Sequence, residues 1–144
     1  MGEVERTVRL GAEPERVWTF VTDPKRFGEY VEGWGGGVVS TANATGVGAG
    51  YEWTARLGPL SLSCTETIVA WDPPRRVDYE GQLFGVTFHS SMEVASAGPG
   101  KAELAVCIRT HVPMSRGGAV TDALLRPLVG HYVKRSVNKL AAAF

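Results

Sequence analysis

The sequence predicts an α+β fold: a curved antiparallel sheet of about seven strands wrapped on a long C-terminal helix, with two short helices after the first strand. Three observations predict it. Apolar and polar residues alternate with period two through most of residues 51–112, as half-buried strands require. Those runs are separated by compact turn sequences, namely Gly58-Pro59, Asp72-Pro73-Pro74-Arg75 and Gly98-Pro99-Gly100. The last part of the chain then changes to helical periodicity. The 144 residues fit one domain, residues 1–144, and 44% hydrophobic with 21% charged residues is the balance of a chain with a packed core.

Val4, Val8 and Leu10 alternate with Glu5, Thr7 and Arg9, which predicts the first strand. Gly11 to Pro14 opens a helix, since proline lacks an N–H that a first helical turn leaves unused. Val17, Trp18, Phe20 and Val21 form its apolar stripe, and Asp23-Pro24 ends it. Asp23 can cap a second short helix carrying Phe27, Tyr30 and Val31. Gly33 to Gly37 reads as a flexible connection, with Trp34 as the bulky side chain of an entrance. Gly46 to Gly50 precedes a strand and lacks a following lysine, so it is a hairpin turn and not a phosphate loop.

From there Tyr51, Trp53, Ala55 and Leu57 share one face, as do Leu62, Cys64, Glu66, Ile68 and Ala70, with Val69 and Trp71 on the other. Val77 and Tyr79 follow, then Phe84, Val86, Phe88, Ser90, Met92 and Val94 as one alternating run. Leu104, Val106, Ile108, Thr110 and Val112 complete the sheet. Ser115 or Thr121 starts the final helix, in which Pro127 removes one backbone bond and should bend the axis. Its apolar face is Leu128, Val129, Tyr132, Val133, Ser136, Val137 and Leu140.

One helix covers only part of such a sheet, so an apolar hollow remains between them. The charge balance argues against a nucleic-acid partner. Fifteen basic residues offset fifteen acidic ones, without the basic stripe that binds nucleic acid. Arg75-Arg76 reads as solvated surface. No run of about 18 apolar residues spans a membrane, and the acidic, mixed start is unlike an export signal. Cytoplasmic location and reduced Cys64 and Cys107 are therefore expected, and Asn43-Ala44-Thr45 is a turn.

Several segments together resemble the START-like (SRPBCC) superfamily, nearest its polyketide cyclase/dehydrase and lipid-transport branch. They are Ala12 to Trp18 with Asp23-Pro24, Gly48 to Tyr51, Glu66 to Trp71 with Asp72 to Arg76, and Leu125 to Leu140. The resemblance spans essentially the whole chain and implies the helix-grip fold. It also implies a protein that binds or transports a hydrophobic, lipid-like or polyketide-like small molecule between sheet and helix. Two alternatives stay open. One is a cyclase, aromatase or dehydratase using Glu66 as general acid/base, aided by Tyr51 or Tyr79. The other is a chaperone-like or assembly module with a filled interior.

Glu66 is the most informative residue. Its parity puts a carboxyl on the inner face, where an unpaired charge is costly and the proton is held more tightly. A bulge would instead turn it to solvent. The expected ligand-binding set is Tyr51, Trp53, Glu66, Tyr79, Phe84, Phe88, Ser90, Val106, Ile108, Leu128 and Tyr132. Thr110 and Ser90 are small polar interruptions of apolar faces that either meet a ligand or bond the backbone. His89, His111 and His131 fall on outward positions, so neither a metal site nor a cofactor is expected. No nucleophile elbow is present. The sequence leaves the oligomeric state open, monomer or homodimer.

Overall fold

A computed structural model describes residues 2–144. Seven antiparallel strands form one curved sheet in the order β1-β7-β6-β5-β4-β3-β2. They are β1 (Gly2–Leu10), β2 (Trp34–Val39), β3 (Gly50–Leu57), β4 (Leu60–Asp72), β5 (Arg76–Leu83), β6 (Val86–Ser96) and β7 (Ala102–His111). A loop over residues 40–49 joins β2 to β3, short turns join β3 to β7 as a meander, and β1 closes the order beside β7. Between β1 and β2 lie α1 (Pro14–Thr22), a 3₁₀ turn at Pro24–Arg26 and α2 (Phe27–Tyr30). The chain ends in α3 (Gly118–Ala143).

The first helices seal one end of the sheet. Asp23 accepts a hydrogen bond from the Lys25 N–H at 3.0 Å and so caps the 3₁₀ turn. Val17 and Val21 of α1 are fully buried, and Trp18 packs on Trp71 with ring centroids 5.0 Å apart. Phe27 and Tyr30 of α2 are buried too, and the Tyr30 hydroxyl donates to the Val21 carbonyl at 2.6 Å. Along the β1 edge α3 packs mainly against β1, with Val133, Val137 and Leu140 buried.

Four local expectations are corrected. Trp34 to Gly37 is not a flexible connection but belongs to edge strand β2, with a register shift between Trp34 and Gly37. A Cβ on Gly37 would lie 2.6 Å from Trp53 Cβ and 2.8 Å from the Trp34 ring. Glycine is what lets the two indoles stack there, 5.1 Å apart. Second, β4 does carry a bulge, but between Ile68 and Ala70, beyond Glu66. Glu66 keeps its inward parity, while Trp71 turns inward opposite Val77 and exposed Val69 is the extra residue. Third, Phe84 is not a strand residue. Leu83 pairs with Val86, so Phe84-Gly85 is a two-residue turn, with φ of +48° and +77°. Fourth, neither Ser115 nor Thr121 begins α3. A 3₁₀ turn at Met114–Arg116 leads into Gly117 and Gly118, both at positive φ, and the helix starts at Gly118. Pro127 lies inside one continuous helix.

Candidate functional site

A cavity of about 420 Å³ lies between the inner face of the sheet, α2 and α3. Its wall is mostly apolar. Trp53, Cys64, Tyr79, Leu83, Phe88, Val106 and Ile108 come from the sheet, and Leu125, Leu128, Val129, Tyr132 and Val133 come from α3. Glu66, Ser90 and Thr110 are polar interruptions of this surface. Of the eleven side chains expected from the sequence, ten line the cavity. Tyr51 is not on the wall. The Phe27 ring covers it edge-on at 5.4 Å, and its hydroxyl donates to the Ala44 carbonyl.

Glu66 sits opposite Gly81 on β5, and Gly81 sits opposite Phe88 on β6. A Cβ at Gly81 would meet the Thr65 carbonyl oxygen at 2.2 Å, Phe88 Cζ at 2.6 Å and Glu66 Cβ at 2.9 Å. The missing side chain therefore lets the Phe88 ring and the Glu66 stem close over β5. The Trp53 indole N–H donates to Glu66 Oε1 at 2.7 Å. Burial pushes the Glu66 carboxyl up to about 7, against the downward pull of that hydrogen bond.

Tyr79 is one pleat away, directly opposite Ser90. Its buried hydroxyl has no partner within the protein. Burial first, then the neighbouring Tyr30, Glu66 and Tyr51, raise its phenol well above the ordinary range. Burial and then Glu66 also raise the Cys64 thiol, so it stays protonated and poorly nucleophilic. Thr110 is already engaged, donating to Oδ1 of buried Asp122 on α3 at 2.8 Å. Tyr132 donates to the Arg56 carbonyl at 3.1 Å.

The mouth contains residues that the sequence reading missed. Arg116 stacks its guanidinium 5.3 Å above the Phe84 ring, and both line the cavity. Phe84 is 67% exposed, which places it at the rim. No periodic pattern marks Arg116, because it lies in the irregular turn before α3. Phe27 and Tyr30 were legible as apolar residues but not as wall, since nothing local tells which end of the sheet a short helix blocks, whereas Trp34, expected at an entrance, lines the cavity from β2.

The histidines lie elsewhere. His89 Nε2 is 3.2 Å from Asp78 Oδ2, and Arg76 Nε is 2.8 Å from Asp78 Oδ1. Burial would lift the Asp78 carboxyl, but the Arg76 and His89 hydrogen bonds hold it below its usual value. His111 and His131 are exposed. Among the described residues no three His, Cys, Asp or Glu side chains group as a metal would require. Cys64 faces the cavity, whereas Cys107 bonds Glu3, and both are free thiols.

A model of the polyketide cyclase/dehydrase and lipid-transport family matches residues 1–144. The chain belongs to that family. Its solved structural neighbours carry the same helix-grip fold. A START superfamily protein from Mycobacterium smegmatis superposes with a TM-score of 0.82 at 13% identity, over 98% of this chain and 95% of that one. An aromatase/cyclase from Streptomyces gives 0.77 at 15% identity, over 98% and 92%. A protein from Chromobacterium violaceum gives 0.73 at 20% identity, over 99% and 96%. No curated protein matches the chain. Family model and fold together show a helix-grip chain of the polyketide cyclase/dehydrase and lipid-transport family. Among the described residues, no helix is long and apolar enough to cross a membrane.

Proposed function

We propose that this chain binds and carries a hydrophobic small molecule, lipid-like or polyketide-like, in the cavity under α3. One observation carries the reading: a hollow of about 420 Å³, walled by aliphatic and aromatic side chains, is left between sheet and helix. Burying each 100 Å² of apolar ligand surface there contributes roughly 2.5 kcal/mol, so binding needs no catalytic group. The family match and the START neighbour support the same reading. An assembly module with a filled interior is the alternative this cavity supports least.

A second reading, a cyclase, aromatase or dehydratase, is favoured by one specific observation. Glu66 is a half-buried carboxyl on the cavity wall, held at about 7, where it can both give and take a proton near neutral pH. Tyr79 beside it would orient a substrate oxygen. In that case Glu66→Gln abolishes turnover of a polyketide-like substrate while leaving binding in place.

The binding reading is tested by titrating the protein with N-phenylnaphthylamine, an uncharged apolar fluorophore. Saturable one-to-one binding is expected, and Ser90→Phe, which fills the cavity from the β6 side, should abolish it. Fluorescence that rises without saturation, or that is indifferent to Ser90→Phe in a folded variant, counts against a guest site. Native mass spectrometry of the protein from its own host then identifies the guest.

A further inference from the structure

The polar groups of the cavity are unevenly charged. Among the described lining residues the charged ones are Glu66, Glu32 and Arg116. Glu32 is spoken for, since Lys139 Nζ lies 2.8 Å and Arg135 Nε 3.3 Å from its carboxyl. Arg116 is at the rim, against exposed Phe84. Glu66 therefore stands on the inner wall with one oxygen taken by the Trp53 N–H. One pleat away is the Tyr79 hydroxyl, buried and without a partner, opposite the buried Ser90. A carboxylate, a phenol and an alcohol thus line one small patch of an otherwise greasy wall.

We infer that Glu66 is a charge filter: the cavity takes uncharged guests whose buried end carries a hydroxyl, and refuses carboxylates. The inference rests on the binding reading above. A guest hydroxyl donates to Glu66 and accepts from Tyr79, which satisfies the phenol that the protein leaves unpaired. A guest carboxylate brings a second negative charge against Glu66 in an apolar enclosure, where like charges repel strongly and neither is solvated. Fatty-acid anions are refused on this ground, and alcohols of similar bulk are accepted.

The filter depends on pH in a definite direction. The other titratable groups facing Glu66 are Tyr30 from α2, Tyr51 from β3, Cys64 from β4 and Tyr79 from β5. All four are shifted upward and keep their protons through the neutral range. Tyr132 reaches the cavity from α3 with its hydroxyl donated to Arg56, and Arg116 is the cation at the rim. Glu66 is thus the inner-wall group whose charge changes near neutrality. Discrimination is strong above that point and relaxes below it, when Glu66 becomes a hydrogen-bond donor.

Three probes of one ring system test this: naphthalene, naphthylmethanol and naphthoate, each measured by displacement of N-phenylnaphthylamine. At about pH 8.5 naphthylmethanol should bind at least about tenfold tighter than naphthoate, with the gap narrowing several-fold at about pH 5.5. Glu66→Gln should admit naphthoate at both pH values and flatten the difference. Naphthoate binding as tightly as naphthylmethanol at the higher pH, or a gap that ignores pH, overturns the filter while naphthalene binding keeps the guest site. If none of the three binds, the guest site falls and the filter with it. The pH series on the parent protein decides the matter by itself should Glu66→Gln fail to fold.

Discussion

A single carboxyl, Glu66, sets the character of the interior. Its proton is held to about 7 in the folded chain against the usual 4.5, so the folded state binds that proton more tightly than the unfolded one. The contribution to stability is therefore most favourable below about pH 4.5 and is lost as pH rises through about 7. The full loss is on the order of 3 kcal/mol from the size of the shift. Glu66→Gln carries no such slope. Urea unfolding at pH 5 and pH 8 should show the parent losing stability relative to the variant by about that amount. Equal pH slopes would mean that Glu66 is solvated. The inward parity of Glu66 was legible because alternation needs only its neighbours on β4. The position of the bulge was not, since Val69 looks like any other β-branched strand residue until its partner strand fails to match it.

The β5–β6 hairpin shows how an element can hide its own turn. The two-residue turn moves the inward parity by one, from Tyr79, Gly81 and Leu83 on β5 to Val86, Phe88 and Ser90 on β6, and Phe84 falls in step with the second set, so Phe84, Val86 and Phe88 read as one uninterrupted strand. Both turn residues take positive φ, as the hairpin twist prefers. For a phenylalanine that conformation is strained. Arg116 stacks on the ring and offsets part of the cost. Phe84→Asn would restore the Asn-Gly pair that this turn favours, and should raise stability by about 1 kcal/mol in denaturant titration. A loss of similar size would show that the Phe84–Arg116 contact outweighs the backbone strain. The β2 strand illustrates the opposite difficulty. Its glycines have little strand propensity of their own, and pairing with β3 under two stacked tryptophans supplies what the local sequence lacks.

Across the whole molecule the cavity follows from a mismatch of widths. Seven strands at their usual spacing span about 29 Å, whereas a helix with side chains is roughly 10–12 Å across. The C-terminal half of α3 is fastened by Leu140, 1% exposed, and by Phe144 against Phe20 with ring centroids 5.0 Å apart. The N-terminal half roofs the hollow and leaves Leu124 75% exposed. Leu140→Ala should cost about 3 kcal/mol, and Leu124→Ala less than about 0.5 kcal/mol, by chemical unfolding. Comparable costs would mean that Leu124 is buried as Leu140 is.

Apart from β2 and the residues beyond the β4 bulge, the order of strands and helices, the sheet face that turns inward and the apolar face of α3 were determined by the sequence itself, because alternation and helical period are local properties. Which side chains meet across the hollow was decided only in three dimensions. Tyr51 left the wall because α2 happens to cover it, Arg116 joined the rim because an irregular turn delivers it there, and Tyr79 and Ser90 face each other through strand register. Those outcomes depend on distances between elements far apart in the chain, and no short-range pattern encodes them.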